Sequence, residues 1–297
     1  MAIVLHANSH AVPWRLRSHT AAAFLCVLCA LAPLAVRAQY DPPPAYYDAA
    51  SGLTGPALKA ALHGIIAPHR VKSYDDARWI LHALDGDPDD LSLILLVYSG
   101  YSVSGAWDGG VTWNREHLWP QSRGVTASPA NSDLFNLRPC NPAVNSSRGN
   151  KWFDNGGTPP AYPLAPECAA TATTWQPRPV EQGDIARALF YMDTRYDGSD
   201  PGTPDLQLVN TAPTGCQMAV LFTLVQWHFD DPVSETERRR NHLIFTDWQT
   251  NRNPYVDHPE YVPSIYGVPE PACLLVFAAL VCAAPGRGWR LPSPLLS

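Results

Sequence analysis

The sequence predicts an α+β fold: a mainly helical single domain with a small sheet. Three observations carry this. Val180–Tyr196 and Met218–Trp227 set apolar residues at helical spacing, and Ser234–Trp248 opens on the acidic turn Ser234-Glu-Thr-Glu237, which suits a helix dipole. Leu93–Tyr98 is a short apolar run between turn residues, the mark of a buried strand. No internal repeat is present, which excludes a solenoid or propeller.

Taken in order, the chain begins with Arg15 and Arg17 in a polar lead, followed by an apolar run from Ala21 to Val36. Small residues at Val36 and Ala38 stand where a signal peptidase reads, so residues 1–38 are a secretory signal cleaved before Gln39. Residues 39–52 are Pro- and Tyr-rich and extended. Thr54-Gly55-Pro56 opens a helix to about Ala67, with Pro in the first turn where its missing N–H is harmless. A second helix covers 74–84, with Ser73 and Asp76 at capping-box spacing. After the Leu93 strand, the turn Asp108-Gly109-Gly110 leads into Val111–His117, read as the second arm of a hairpin. Residues 120–143 are mostly irregular, and a short helix at 142–150 starts after Pro142.

Beyond Val268 come Pro269-Glu270-Pro271, an apolar stretch from Ala272 to Ala284, and Arg287 and Arg290. This order is similar to the PEP-CTERM sorting signal of Gram-negative bacteria. The similarity implies removal of 269–297 by an exosortase and delivery to the cell surface or extracellular matrix, with the periplasm as a second location. Residues 39–268 remain as the mature domain, a length that suits one core.

Losing Arg15, Arg17, Arg37, Arg287, Arg290 and Glu270 leaves 16 basic against 26 acidic residues, a net charge of −10. That excludes a generally basic nucleic-acid coat and confines any polyanion site to a local patch. Cys140, Cys168 and Cys216 survive processing. In an oxidising compartment this odd number predicts one disulfide and one free or buried thiol.

The chemistry concentrates in Trp113-Asn-Arg-Glu116-His117-Leu-Trp-Pro-Gln-Ser122 and in Asp133-Leu-Phe-Asn136-Leu-Arg138-Pro-Cys-Asn-Pro-Ala-Val-Asn145-Ser-Ser-Arg148-Gly-Asn150. Together these supply one imidazole, one carboxylate next to it, several carboxamides and three arginines. Phosphodiester hydrolysis needs a base for water, a cation at the phosphate and donors for the added charge. Imidazole takes a proton near neutrality, carboxylate and amide oxygens suit Mg²⁺, and arginine forks match phosphate oxygens. Adjacent strand residues point to opposite faces, so Glu116 and His117 serve one phosphate only if the strand ends or twists there.

These residues resemble the bacterial endonuclease I family, secreted or periplasmic nucleases with a ββα-metal (His-Me) finger. Tyr46–Gly55, Ala186–Asp197, Asp231–Arg238 and Asn251–Glu260 extend the likeness over about residues 45–262. The resemblance implies His117 as general base, Glu116 and Asn145 as ligands of one Mg²⁺-type ion (Mn²⁺ or Ca²⁺ being the alternatives), and Arg148 at the phosphate. Arg115, Arg138 and Asn150 are the candidate strand contacts. It further implies a non-specific endonuclease acting on DNA, with RNA as a second substrate, and leaving 5′-phosphate ends. Phe135 stands where many members have His, a departure that bears on metal choice. The chain is read as a monomer. The competing reading is an extracellular surface or matrix protein that binds DNA without cutting it; a second alternative, a zinc hydrolase, is disfavoured by the lack of Cys/His zinc spacing in the mature chain.

The other mature histidines (His63, His69, His82, His228, His242, His258) read as surface or hydrogen-bonded residues. Arg238–Arg240 reads as a solvated helix face and Asp85–Asp90 as an ordinary acidic loop. Trp113 and Trp119 are the candidate base-stacking tryptophans.

Overall fold

The longest helix, Pro179–Arg195, runs through the centre of the domain with nearly every residue buried. The computed structural model describes residues 39–267. The expected signal and the sorting tail both lie outside the described residues. From Asp41 the chain forms one unit of helices and small sheets, consistent with α+β.

The first helices are α1 (Gly55–Ile66) and α2 (Ala77–Leu84). Ser73 and Asp76 do exchange capping bonds, Asp76 N to Ser73 Oγ at 3.0 Å and Ser73 N to Asp76 Oδ2 at 3.3 Å. Regular helix nevertheless starts only at Ala77. The hairpin is also differently made. Strand β1 (Leu93–Leu95) pairs with β2 (Ser102–Ser104) across the turn at Tyr98–Gly100. Strand β3 (Asn114–His117) pairs instead with β4 (Leu137–Cys140), antiparallel, in a stretch expected to be irregular. Leu137-Arg-Pro-Cys140 carries a proline and only four residues, too little for a period to be read.

Helix α3 (Pro142–Arg148) follows at once. Short strands β5 (Trp152–Phe153), β6 (Ala169–Ala170) and β7 (Thr174–Gln176) make a three-stranded sheet with β7 in the middle. The central helix is α4. Then β8 (Gln207–Val209) and β9 (Gln217–Val220) pair in parallel, so the helix expected from Met218 starts at Leu221 as α5 (Leu221–Asp230). Helix α6 (Glu235–Leu243) is capped by Ser234 Oγ, which accepts from Glu237 N, and continues as a π-helical turn over Ile244–Trp248. Two short helices, α7 (Pro254–Asp257) and α8 (Tyr261–Tyr266), close the described chain. Four small sheets thus replace the single one expected.

Charged residues on α4 and α6 stay inside because they are paired. Arg187 on α4 meets Glu237 at 2.7 Å and donates to the Asp231 carbonyl at 2.8 Å. Arg240, expected on a solvated face, is buried; its Nε meets Asp85 at 2.8 Å, and a second nitrogen donates to the Leu137 carbonyl at 2.9 Å. Among the described residues the expected disulfide is not formed. Cys140, Cys168 and Cys216 are all free thiols; Cys140 and Cys168 are buried with Sγ turned to the Val97 and Tyr98 carbonyls.

His228 on α5 is a buried, neutral imidazole: Nε2 lies 3.1 Å from the Pro259 carbonyl, and Nδ1 is buried with no partner. Burial pushes it down to about 4 from 6.5. The unfolded chain therefore binds the proton first as pH falls. Stability from this group is complete above pH 6.5 and is lost as pH drops toward 4, by up to about 3 kcal/mol. Urea melts at pH 7, 5.5 and 4 should show that loss, and His228→Gln, which keeps the donor to Pro259, should reduce it by this group's share, buried His117 carrying a similar one. An unchanged slope in the variant would assign the effect elsewhere.

Candidate active site

The β3–β4 pair sets Glu116 opposite Arg138 and His117 opposite Leu137. His117 is the last residue of β3, so the alternation that would separate adjacent side chains ends there. Glu116 and His117 accordingly line the same cleft, together with Tyr74, Arg115, Asn145, Arg148 and Asn150, around a cavity of about 360 Å³.

The cleft's other wall is α3. Asn141 caps it, its Oδ1 accepting from Ala143 N at 3.0 Å and Val144 N at 3.3 Å, and Pro142 fits the first turn. The chain turns out of the helix at Gly149, whose φ of 58° favours glycine. One turn into α3, Asn145 spends its Nδ2 on Asn114 Oδ1 at 2.8 Å and on the Arg115 carbonyl at 3.4 Å. Its Oδ1 is left as an acceptor on the cleft wall.

His117 is only 7% exposed. Its Nε2 lies 2.9 Å from the Asn131 carbonyl, and a carbonyl can only accept, so Nε2 carries the proton and Nδ1 keeps its lone pair. Burial pushes the imidazole down to about 4, so it is neutral at pH 7. The Tyr74 ring stacks on it at 5.4 Å and 23°. Asn131 is held in turn by Gln121, whose Nε2 donates to Asn131 Oδ1 at 2.7 Å.

Glu116 is buried; its Oε1 accepts from Tyr98 Oη at 2.7 Å and lies 3.0 Å from Arg148 Nη1, and the His117 backbone N–H also donates to the carboxylate. Burial raises its carboxyl, while Arg148 and Tyr98 oppose the rise. The Glu116 carboxylate and the Asn145 carboxamide oxygen therefore offer hard oxygens to one cleft. That set fits a hard divalent ion with water filling the remaining positions, and does not fit zinc. No group of three or more His, Cys, Asp or Glu among the described residues offers a metal cage.

The remaining candidates divide. Arg115 lines the cleft, its guanidinium 3.7 Å over the Tyr74 ring and bonded to the Tyr74 carbonyl. Asn150 lines it too, its carbonyl accepting from Arg123 Nε at 3.3 Å. Arg138 does not reach it: Nη1 meets Asp85 at 3.0 Å in a separate pocket. Arg148, expected at the phosphate, is wholly buried, with one nitrogen on the His117 carbonyl at 2.9 Å and another on the Leu118 carbonyl at 2.6 Å. Its guanidinium lies over the Phe153 ring at 4.7 Å. The geometry makes it a brace for the end of β3. Trp113 and Trp119 are wholly buried, so neither is a stacking platform. Phe135 lies in the core against Tyr191 at 4.4 Å, away from the cleft lining.

Sequence reasoning missed Tyr74, Tyr98, Asn114 and Asn131. Tyr98 is the most telling, because its φ of 71° is unusual for a bulky residue and it is fully buried on Glu116. Nothing in the run Leu93–Tyr98 signals it.

Residues 54–260 match the family described as Endonuclease I. The chain is 44% identical over 227 residues to an extracellular ribonuclease of Bacillus amyloliquefaciens, covering 74% of this chain and 78% of that protein. It is 41% identical over 249 residues to an extracellular ribonuclease of Bacillus subtilis (strain 168), covering 81% and 83%. With the match spanning most of the described residues, and with an imidazole, a carboxylate and a carboxamide gathered in one cleft, the chain belongs to the endonuclease I family.

Proposed function

We propose that this protein is a secreted, metal-dependent endonuclease that hydrolyses phosphodiester bonds of DNA and RNA with little sequence preference. The observation that carries the reading is the neutral, buried His117, its Nε2 proton fixed on Asn131 and its Nδ1 left as a base, in the cleft that also holds Glu116 and Asn145. RNA stands beside DNA because both relatives are named extracellular ribonucleases. The same names, with the leader at 1–38, support secretion; the tail at 269–297 supports surface or matrix delivery through an exosortase.

The succession β3, β4, α3 supports reading this part as a ββα-metal finger. Glu116 and Asn145 would hold one Mg²⁺-type ion, which when bound supplies positive charge to the phosphate and the departing oxygen. His117 Nδ1 takes the proton of the attacking water. The water oxygen bonds to phosphorus as the bond from phosphorus to the 3′ oxygen breaks, and that oxygen takes a proton from solvent, leaving 5′-phosphate and 3′-hydroxyl ends. Tyr74 keeps the imidazole's plane, Arg148 and Tyr98 hold Glu116, and Arg115 and Asn150 remain as strand contacts.

Incubation of the mature protein with closed circular plasmid and with ribosomal RNA, with Mg²⁺ and with EDTA, tests this. EDTA-sensitive cutting of both is the expected result. Binding without cutting would favour the matrix DNA-binder instead.

Tyr98→Phe should weaken Mn²⁺ binding by about 10–100-fold, since it removes a donor that orients a ligating carboxylate. Calorimetric titration of the metal-free protein measures this without reference to turnover. Unchanged affinity would reduce Tyr98 to packing.

A further inference from the structure

Trp79 is 59% exposed on the first turns of α2, although an indole left in water has no packing reason to be there. It is linked to the cleft by an unbroken chain of contacts. His117 stacks on Tyr74 at 5.4 Å, and Tyr74 lies under the Arg115 guanidinium at 3.7 Å. Arg115 Nη1 is 3.9 Å from Asp75, Asp75 is 3.6 Å from Arg78 Nη2, and the Arg78 guanidinium lies 5.2 Å from the Trp79 ring. A second cation–aromatic pair stands beyond the opposite wall. There Arg123 lies 5.7 Å from the Trp152 ring and donates to the carbonyl of Asn150.

We propose that the cleft continues past Tyr74 and Arg115 onto Trp79, and that this track binds an unpaired nucleic-acid strand, with a base stacked on the Trp79 indole and Arg78 at the backbone. The proposal rests on the nuclease reading and names the form of its substrate. Charge supports a polyanion: Lys72, Arg78 and Arg115 stand against Asp75 and Asp76 in a mature chain whose net charge is −10. Both carboxylates are engaged, Asp75 between the two arginines and Asp76 accepting from Ser73 N at 3.3 Å. An exposed indole offers a base its face, which paired bases inside a duplex cannot use. Tyr74 cannot serve in this way, because its ring already carries both the Arg115 guanidinium at 3.7 Å and the stacked His117 imidazole at 5.4 Å. The Trp79 ring, among the described residues, carries only Arg78, at 5.2 Å, and stays largely in solvent.

The test is fluorescence anisotropy with a labelled ten-residue thymidine single strand and a duplex of equal length, both in EDTA so that nothing is cut. Trp79→Ala should weaken single-strand binding by about 5–100-fold, from the loss of one stacked base, and duplex binding by less than twofold. Trp79→Phe should recover most of the loss, and tryptophan emission should be quenched on binding in the wild type only. Single-strand affinity within twofold of wild type in Trp79→Ala, equal losses on strand and duplex, or no binding by the wild type each overturn the track. Tight, Trp79-dependent binding without cleavage when Mg²⁺ is restored would keep the track and sink the nuclease reading.

Discussion

His117→Gln should lower turnover on plasmid and RNA by about 10²–10⁴ while the affinity for nucleic acid, measured in EDTA, stays within about twofold. Glutamine is the informative replacement because its Nε2 can still donate to the Asn131 carbonyl, which His117 Nε2 reaches at 2.9 Å. The loop stays tied, and only the basic nitrogen is lost. Alanine would also open a hole beneath Tyr74, which stacks on the imidazole at 5.4 Å, and so would mix packing with chemistry. A glutamine variant that cuts at the wild-type rate would remove this imidazole from the reaction. One that loses binding as strongly as turnover would make it a substrate contact.

The way His117 is held also marks how far sequence alone reaches here. The residue types that hydrolysis requires were legible, because Glu116 and His117 are adjacent in a run rich in carboxamides and arginines, and the family resemblance picked out Asn145 among the amides. The helices at 55–66, 142–148, 179–195 and 235–243 were legible as well, since capping residues, proline at the first turn or apolar spacing declare them. Strand pairing was not, because β4 is four residues long and its partner is chosen by tertiary packing rather than by a turn. The supports of the site were illegible for the same reason. Asn131 acts through its carbonyl, which any residue possesses, and Tyr98 reaches Glu116 from the β1–β2 turn with its backbone at φ 71°. Arg148 was found through the family resemblance of Asn145-Ser-Ser-Arg148-Gly-Asn150, but a motif does not tell a guanidinium turned outward from one folded under the strand.

That difference yields the second large effect. Arg148→Ala should cost about 3–5 kcal/mol of folding stability, because it strips the partner from the buried carboxylate of Glu116 and leaves two strand carbonyls unpaired. An arginine that only touched phosphate would give a variant melting like the wild type and failing in turnover alone. The double variant Glu116→Gln/Arg148→Ala separates the contributions further. Removing the orphaned charge should return about 1–3 kcal/mol relative to Arg148→Ala, since an amide tolerates burial better than an unpaired carboxylate. Activity should stay lost, because the oxygen that Glu116 offers the cleft has lost its charge. Denaturant melts of the wild type, both single variants and the double variant give this coupling directly. Strict additivity of the two losses would mean that Arg148 and Glu116 act independently, and the brace would have to be abandoned.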